Sequence, residues 1–309
     1  MRKLVSVVMA AGLLASLAAC ASTGGSIADC TSGGNAALVT SKGKIGDDPK
    51  STFPTPLVAK KTEVAVATKG DGDPVTADEG VNVVVSIYDG ATGDPAANSD
   101  GSPLTTIPLQ EFVDGRYDFT EALTCATVGS RVVVTGTGAN LLPTATPLAD
   151  STLVIVLDVQ SAFLGKANGA DQVPQAGYPS VVLAPNGRPG LTFSGKEAPG
   201  NLGAIALKQG SGAKIGKGDA IIANITGVVW GSKETFLSTW EQDAPALASV
   251  ADDSGLPAGL TKAIIGQKVG SQLLVVLSGD DSYAAGSEPT GVAAGDTVVF
   301  VVDILGISD

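Results

Sequence analysis

Thr127-Val128-Gly129-Ser130-Arg131-Val132-Val133-Val134 decides how this chain is organised, because it returns as Lys268-Val269-Gly270-Ser271-Gln272-Leu273-Leu274-Val275 at an offset of 141 (270 − 129). Two further landmarks keep the same order. Lys69-Gly70-Asp71-Gly72 returns as Gln209-Gly210-Ser211-Gly212, offset by 140 (210 − 70). Leu153 to Val159 (LVIVLDV) returns as Val298 to Ile304 (VVFVVDI), with Asp158 matching Asp303 at an offset of 145 (303 − 158). Three ordered matches whose offsets drift by only five residues (145 − 140) read as one unit used twice. The units are placed at residues 46–163 and 178–309. Between them, residues 164–177 are rich in Gly, Ala and Gln without apolar period and read as a linker.

Each unit is mostly strand. Val81–Ile87, Val132–Thr135 and Thr152–Val159 are β-rich runs in the first, and Ala220–Ile225, Leu273–Leu277 and Thr297–Leu305 are their counterparts in the second. One stretch per unit reads as helix, near Thr120–Cys125 and Ala258–Ile265. In the latter, Leu260, Ile264 and Ile265 fall at helical spacing, and Pro257 suits a first turn. The expected fold class is α+β, two domains that each wrap an antiparallel sheet around one short helix.

Residues 1–19 have the parts of an export signal in order: Arg2 and Lys3, an uncharged apolar run from Leu4 to Leu17, then Ala18-Ala19-Cys20. The tetrad Leu17-Ala18-Ala19-Cys20 resembles the bacterial lipobox, in which the Cys is acylated and becomes the first mature residue. That resemblance implies a diacylglyceryl anchor on Cys20 and a chain held at the cell membrane on its extracytoplasmic side, since two acyl chains suffice for stable anchoring. Residues 20–45, Ser-, Thr-, Gly- and Ala-rich, read as a tether with a short strand near Ala37–Val39.

The 309-residue chain carries a net charge of −12 and has no Lys/Arg cluster to neutralise phosphates, which argues against nucleic acid as a partner. It contains no histidine, which removes Ser-His-Asp and Cys-His catalysis and His-ligated metal. No cofactor or metal site is expected. Aromatic residues are 4% of the chain, so the core must come from Val, Ile, Leu and Ala. With Cys20 lipidated, Cys30 and Cys125 are left as an even pair outside the cytoplasm, either bridged or two buried thiols; that compartment favours the bridge.

From Gly218 to Ile307 the second unit presents a strand ending in Thr226-Gly227, a loop with Phe236, a helix, Gln267-Lys268-Val269-Gly270-Ser271, an Asp280-Asp281-Ser282-Tyr283 loop and a final strand with Phe300. This run resembles the FKBP-type peptidyl-prolyl cis-trans isomerases, and two such units behind a lipobox resemble lipoproteins of actinobacteria. The first unit resembles the family more faintly over residues 80–159. The resemblance implies an isomerase acting on proline-containing segments of unfolded exported proteins, with Tyr283, Phe300 and Phe236 as catalytic residues. Leu256, Pro257, Leu260 and Ile225 would line the substrate site. Departures from the family pattern are Ile225 for its first-strand Tyr, Leu237 for its Asp, Gln242 for the Arg pairing that Asp, Ala246 for an aromatic, and Leu260 for the Trp of the pocket floor. Trp230 and Trp240 are the nearby aromatics placed to refill that floor. In the first unit Ile155 takes the place of Phe300, Ile87 that of Ile225, Ala139-Asn140-Leu141 that of the Tyr loop, and Phe119 lies opposite Leu260. That unit reads as structural or peptide-binding. The alternative for the whole protein is a non-catalytic peptide-binding chaperone or scaffold on the same fold.

Overall fold

The computed structural model describes residues 33–76, 79–96, 119–142, 148–195, 198, 203–242, 244–251, 254–278, 281–283 and 286–308. The export signal, Cys20 and Cys30 lie outside these residues. The first unit comprises β1 (Thr40–Lys42), β2 (Lys50–Thr52), β3 (Glu63–Thr68), β4 (Glu79–Asp89), α1 (Thr120–Leu123), β5 (Arg131–Thr137), α2 (Gly138–Leu141) and β6 (Thr152–Leu164). The second comprises β7 (Ala170–Asp171), β8 (Ser180–Leu183), β9 (Pro189–Thr192), β10 (Ala204–Gln209), β11 (Ala220–Val229), β12 (Thr235–Ser238), β13 (Ala246–Ser249), α3 (Ala258–Ile264), β14 (Gln272–Leu277) and β15 (Val298–Ser308).

Both main sheets are antiparallel and run in corresponding order, β3-β5-β6-β4 in the first unit and β10-β14-β15-β11 in the second. The second is widened by β7 beyond β10 and by β12 and β13 against β11. The helices α1 and α3 fall where the sequence places them, whereas α2 is an additional turn. The strands are apolar on both faces, so each sheet needs a cover on both sides. On the inner face of the second sheet, Ile221, Ala223, Ile225, Leu273, Val275, Phe300 and Val302 pack with Leu260 and Ile264 of α3. On its outer face, Leu274, Val276, Val299, Val301 and Trp230 are covered by Tyr178, Val181, Leu191 and Phe193, from the β8–β9 hairpin and its flanks.

The first unit repeats this plan with a different cover. Ala36, Val39, Phe53 and Leu57 lie on Ala65, Tyr88, Val133, Val154 and Val156, and the Tyr88 hydroxyl donates to the Pro49 carbonyl at 2.6 Å. The expected tether at 20–45 is therefore corrected: Ala36 and Val39 are buried, because the outer face of the first sheet has to be shielded from water. The linker at 164–177 is corrected as well. β6 runs on to Leu164, Ala167 is buried, and Ala170–Asp171 pairs with Gln209 and Lys208 as a sheet edge. Phe163 lies at the junction, in van der Waals range of the Gly80 position on β4 and packed with Ile222 and Leu305 of the second unit.

The repeated glycines have a steric cause. A Cβ on Gly70 would sit 2.1 Å from the Val128 carbonyl oxygen, and one on Gly210 would sit 2.3 Å from that of Val269. The backbones touch there, and the same bonds close both units: Gly70 N–H to Ser130 Oγ at 2.9 Å and Gly210 N–H to Ser271 Oγ at 3.0 Å.

A buried carboxylate midway along each unit's last strand holds the incoming cover. Asp158 Oδ2 accepts the Gly46 N–H at 2.8 Å, and Asp303 Oδ2 accepts the Ala167 N–H at 2.9 Å. Their cross-strand partners differ. Arg131 grips Asp158 through Nε and a terminal nitrogen, both at 2.6 Å, and also donates to the Gly43 and Lys44 carbonyls. Gln272 donates to Asp303 at 2.7 Å. Burial pushes the Asp303 carboxyl above its ordinary value, against the lowering effect of the Ala167 and Gln272 bonds.

Arg131 and Asp158 are each 1% exposed, so Arg131→Met leaves an uncompensated buried carboxylate. The expected loss is roughly 3–5 kcal/mol of first-unit stability by urea unfolding, much of it restored in Arg131→Met/Asp158→Leu; equal stabilities for wild type and the single variant would contradict this account of the clamp.

Candidate functional site

The inner face of the second sheet gathers the residues the sequence singled out. Phe300 on β15 is paired across to Gly227 on β11 and Val275 on β14. Gly227 is itself opposite Leu237 on β12, which brings Phe236 over the sheet. A Cβ on Gly227 would be 2.6 Å from Phe236 Cζ, so the missing side chain is what lets the ring lie down. Ring centroids are 5.7 Å apart for Phe236 and Phe300, 6.2 Å for Phe236 and Tyr283, and 6.4 Å for Tyr283 and Phe300. The first two pairs meet edge to face, the arrangement aromatic quadrupoles favour.

Depth orders the three rings. Phe300 is fully buried, while Phe236 and Tyr283 are half-buried at the mouth. Leu260, on α3, is fully buried beneath them, and Ile225, Leu256 and Pro257 complete the surround. Ile225, Phe236, Leu256, Leu260, Tyr283 and Phe300 thus fall in one apolar cluster, with Pro257 buried at the start of α3. Among the described residues Tyr283 has ring contacts only, which leaves its hydroxyl available to a ligand. Burial pushes that phenol above its ordinary value of 10.0, so it remains a protonated donor through neutral pH. A second donor is loosely held, since the Leu256 N–H reaches Ser254 Oγ only at 3.4 Å, near the limit of a useful bond.

The site can therefore take an apolar ring against aromatic and aliphatic walls and donate a hydrogen bond to a carbonyl at its rim. Nucleophile, charged side chain and metal ligands are not part of it, and among the described residues no cluster suited to a metal ion occurs.

Three expectations change. Trp230 does not refill the floor: it is on the outer face, 5.0 Å from the Phe193 ring. Trp240 packs instead toward Gly187 in the turn between β8 and β9. In the first unit, matching bulges at Asn82/Val83 and Ile222/Ala223 make Val85, not Ile87, the counterpart of Ile225. Two residues that shape the site were not among the expected site residues. Gly227 has a signal, an isolated glycine inside a β-branched run. Thr239 has none; its hydroxyl accepts from Ile225 N–H at 3.0 Å and donates to Asn224 Oδ1 at 2.9 Å, pinning the turn after Phe236 to β11. Cys125 is disulfide-bonded; Cys30, its expected partner, lies outside the described residues.

A family model described as FKBP-type peptidyl-prolyl cis-trans isomerase matches residues 212–305. Among solved structures, the chain is similar to the three FKBP domains of wheat FKBP73, at 17% identity over 80% of this chain and 94% of that one, with a TM-score of 0.31. Escherichia coli FkpA gives 19% identity over 43% of this chain and 53% of that one, TM-score 0.32. A peptidyl-prolyl cis-trans isomerase from Pseudomonas syringae pv. tomato gives 18% over 34% and 74%, TM-score 0.30. Structural scores of this size carry no argument. No curated protein matches the chain.

Ultraviolet titration tests the state of Tyr283. The difference between wild type and Tyr283→Phe is expected to show a phenol midpoint above 10.0; a midpoint at or below that value would mean the ring is solvated.

Proposed function

We propose, from the premise that residues 212–305 belong to the FKBP-type peptidyl-prolyl cis-trans isomerase family, that the second unit rotates X-Pro bonds in exported chains at a membrane surface. The observation that carries the reading is the Phe236–Tyr283–Phe300 cluster with a free Tyr283 hydroxyl at its mouth.

Amide rotation crosses a barrier of about 18–20 kcal/mol without making or breaking a bond, so the protein has no proton or leaving group to manage. The twisted amide has lost its resonance and is less polar than the planar one. An apolar site therefore favours it over the ground state, which is the differential binding that catalysis requires. The prolyl ring would rest against Phe236 and Tyr283, above Phe300 and Leu260. Tyr283 would donate to the carbonyl beside the proline, with the Leu256 N–H as a further donor. A chain without histidine is suited to this chemistry.

The aliphatic floor at Leu260 and the missing Asp/Arg pair at Leu237 and Gln242 favour a second reading, a unit that binds proline-containing segments without turning them over. A protease-coupled assay on Ala-X-Pro-Phe peptides separates the two. Wild type is expected to exceed the uncatalysed rate, and Tyr283→Phe to lose about tenfold in kcat/KM, the worth of one hydrogen bond of roughly 1–1.5 kcal/mol. A wild-type rate equal to buffer leaves the binding module.

The membrane address rests on Leu17-Ala18-Ala19-Cys20 and the export signal before it; among the described residues no helix is long and apolar enough to cross a bilayer. With residues from Ala36 folded onto the first unit, 15 residues (35 − 20) separate a lipid on Cys20 from it. Such a stretch spans at most roughly 50 Å. Cys20→Ser is expected to move the protein from the membrane fraction to the medium or periplasm; retention in the membrane would overturn the lipid anchor.

A further inference from the structure

The stretch from Phe163 to Gln172 completes the second unit in a way that no described segment completes the first. Phe163 and Leu164 pack on Ile222 and Leu305. Gly169 N–H donates to the Gly270 carbonyl at 2.9 Å, and Gln172 N–H to that of Leu207 at 2.8 Å. Between them Ala170–Asp171 adds a strand to the edge of β10. The fit is close: a Cβ on Gly169 would be 2.4 Å from the Gln209 carbonyl, and one on Gly270 would be 2.6 Å from Asn168 Oδ1.

Among the described residues nothing fills the duplicate groove of the first unit. Position for position, Asn82, Val159, Gln160, Ser161 and Gly129 correspond to Ile222, Ile304, Leu305, Gly306 and Gly270. Together with Ile45 those five line a cavity of about 300 Å³. The atoms nearest a Cβ on Gly129 belong to Gly70 and Asp71, whereas the nearest to one on Gly270 include Asn168 and Leu164. No described residue donates to the Gly129 carbonyl. The neighbouring edge strand, β3, has β5 as its one strand partner among the described residues, and Ala67, Thr68 and Lys69 at its end are exposed. The chain that leaves the Asp158 clamp at Gly46 turns back into β2, whereas the one leaving Asp303 at Ala167 runs on along the edge.

We propose that this groove and the end of β3 bind an extended segment of a partner polypeptide by strand addition, in the manner of residues 167–172 on the second unit. Backbone bonds to Gly129 and the β3 edge supply the grip. The lining selects the side chains. Asn82, Gln160 and Ser161 stand where the second unit has Ile222, Leu305 and Gly306, so the occupant is a segment of small and polar residues rather than an apolar one. It is a client contact that needs no proline and stands independently of the isomerase reading.

The probe is a fluorescent peptide with the sequence of residues 166–173, Lys-Ala-Asn-Gly-Ala-Asp-Gln-Val, titrated into the full chain; it lacks proline, so its result is separate from the rotation assay. Saturable binding is expected. N-methylation at the peptide's Gly and Gln, which removes two backbone donors, is expected to weaken it about tenfold or more. Ser161→Trp, which fills the groove, is expected to do the same with the circular dichroism spectrum unchanged. Equal affinity for the methylated peptide overturns the proposal, independently of any variant's folding. So does undiminished binding to folded Ser161→Trp, or the absence of saturable binding. A dimer of the chain that disappears in Ser161→Trp makes a second copy the occupant and likewise overturns it.

Discussion

A carboxylate buried midway along the last strand governs how each half of this protein closes. Asp158 and Asp303 are both nearly inaccessible, and each spends one oxygen on a backbone N–H of the segment entering its unit. The need behind it is a sheet apolar on both faces in a chain poor in aromatics. Helix and loops cover one face, and the other needs a strap of residues with no helical or strand period of its own. A strap of that kind gains about 1.5–3 kcal/mol per buried side chain, divided over a few contacts, and a fixed anchor gives it register. The charge is handled differently in the two halves. The first pairs its Asp with a bidentate Arg131; in the second the neutral amide of Gln272 takes that place, and burial pushes the Asp303 carboxyl upward against the lowering effect of its hydrogen bonds and of Lys208.

The duplication was legible because it is written in backbone sterics. Gly70 and Gly210 sit where any Cβ would collide with a carbonyl, and Ser130 and Ser271 close the same turn. Such positions tolerate little drift, so they survive as quotable sequence. The β-branched runs between them were equally readable, as were the two helices that face them. The straps were not. Ala36, Val39, Phe53 and Leu57 on one side and Tyr178, Val181, Leu191 and Phe193 on the other are scattered among Gly, Pro and polar residues, and nothing local distinguishes them from a tether or a linker. Asp158 and Asp303 could be matched to each other in sequence, but their partners Gly46 and Ala167 are backbone groups, which no side-chain pattern marks.

The candidate site was legible to the extent that strand parity fixes it. Ile225 and Phe300 face inward, and the alternation carries Val275 and Leu273 with them. The same parity sends Trp230 outward, five residues along from Ile225 (230 − 225), so its place on the far face was available from counting alone. The counterpart of Ile225 in the first unit was harder, because the sequence offsets drift and only the paired bulges settle the register at Val85. Thr239 was beyond reach: a hydroxyl that bridges two groups of β11 depends on where a turn lands.

The two copies have diverged in complementary directions. In the first, the helix α2 takes the place of the Tyr283 loop, and Leu141 fills the inner face with Phe119 and Ile155, all buried. What corresponds to the aromatic site is buried core, while among the described residues nothing covers the edge at Thr68 or the groove at Gly129. In the second, the edge and groove are occupied by the chain's own residues 163–172, while Phe236 and Tyr283 remain at a surface. The two units differ at the same two places, the cluster on the inner face and the strand edge beside the repeated glycines. Each copy fills one of them with the chain's own residues. Closing the edge of the second unit also fixes its position after the first, because the strap that fills it continues from β6 of the first and carries Phe163 into the junction.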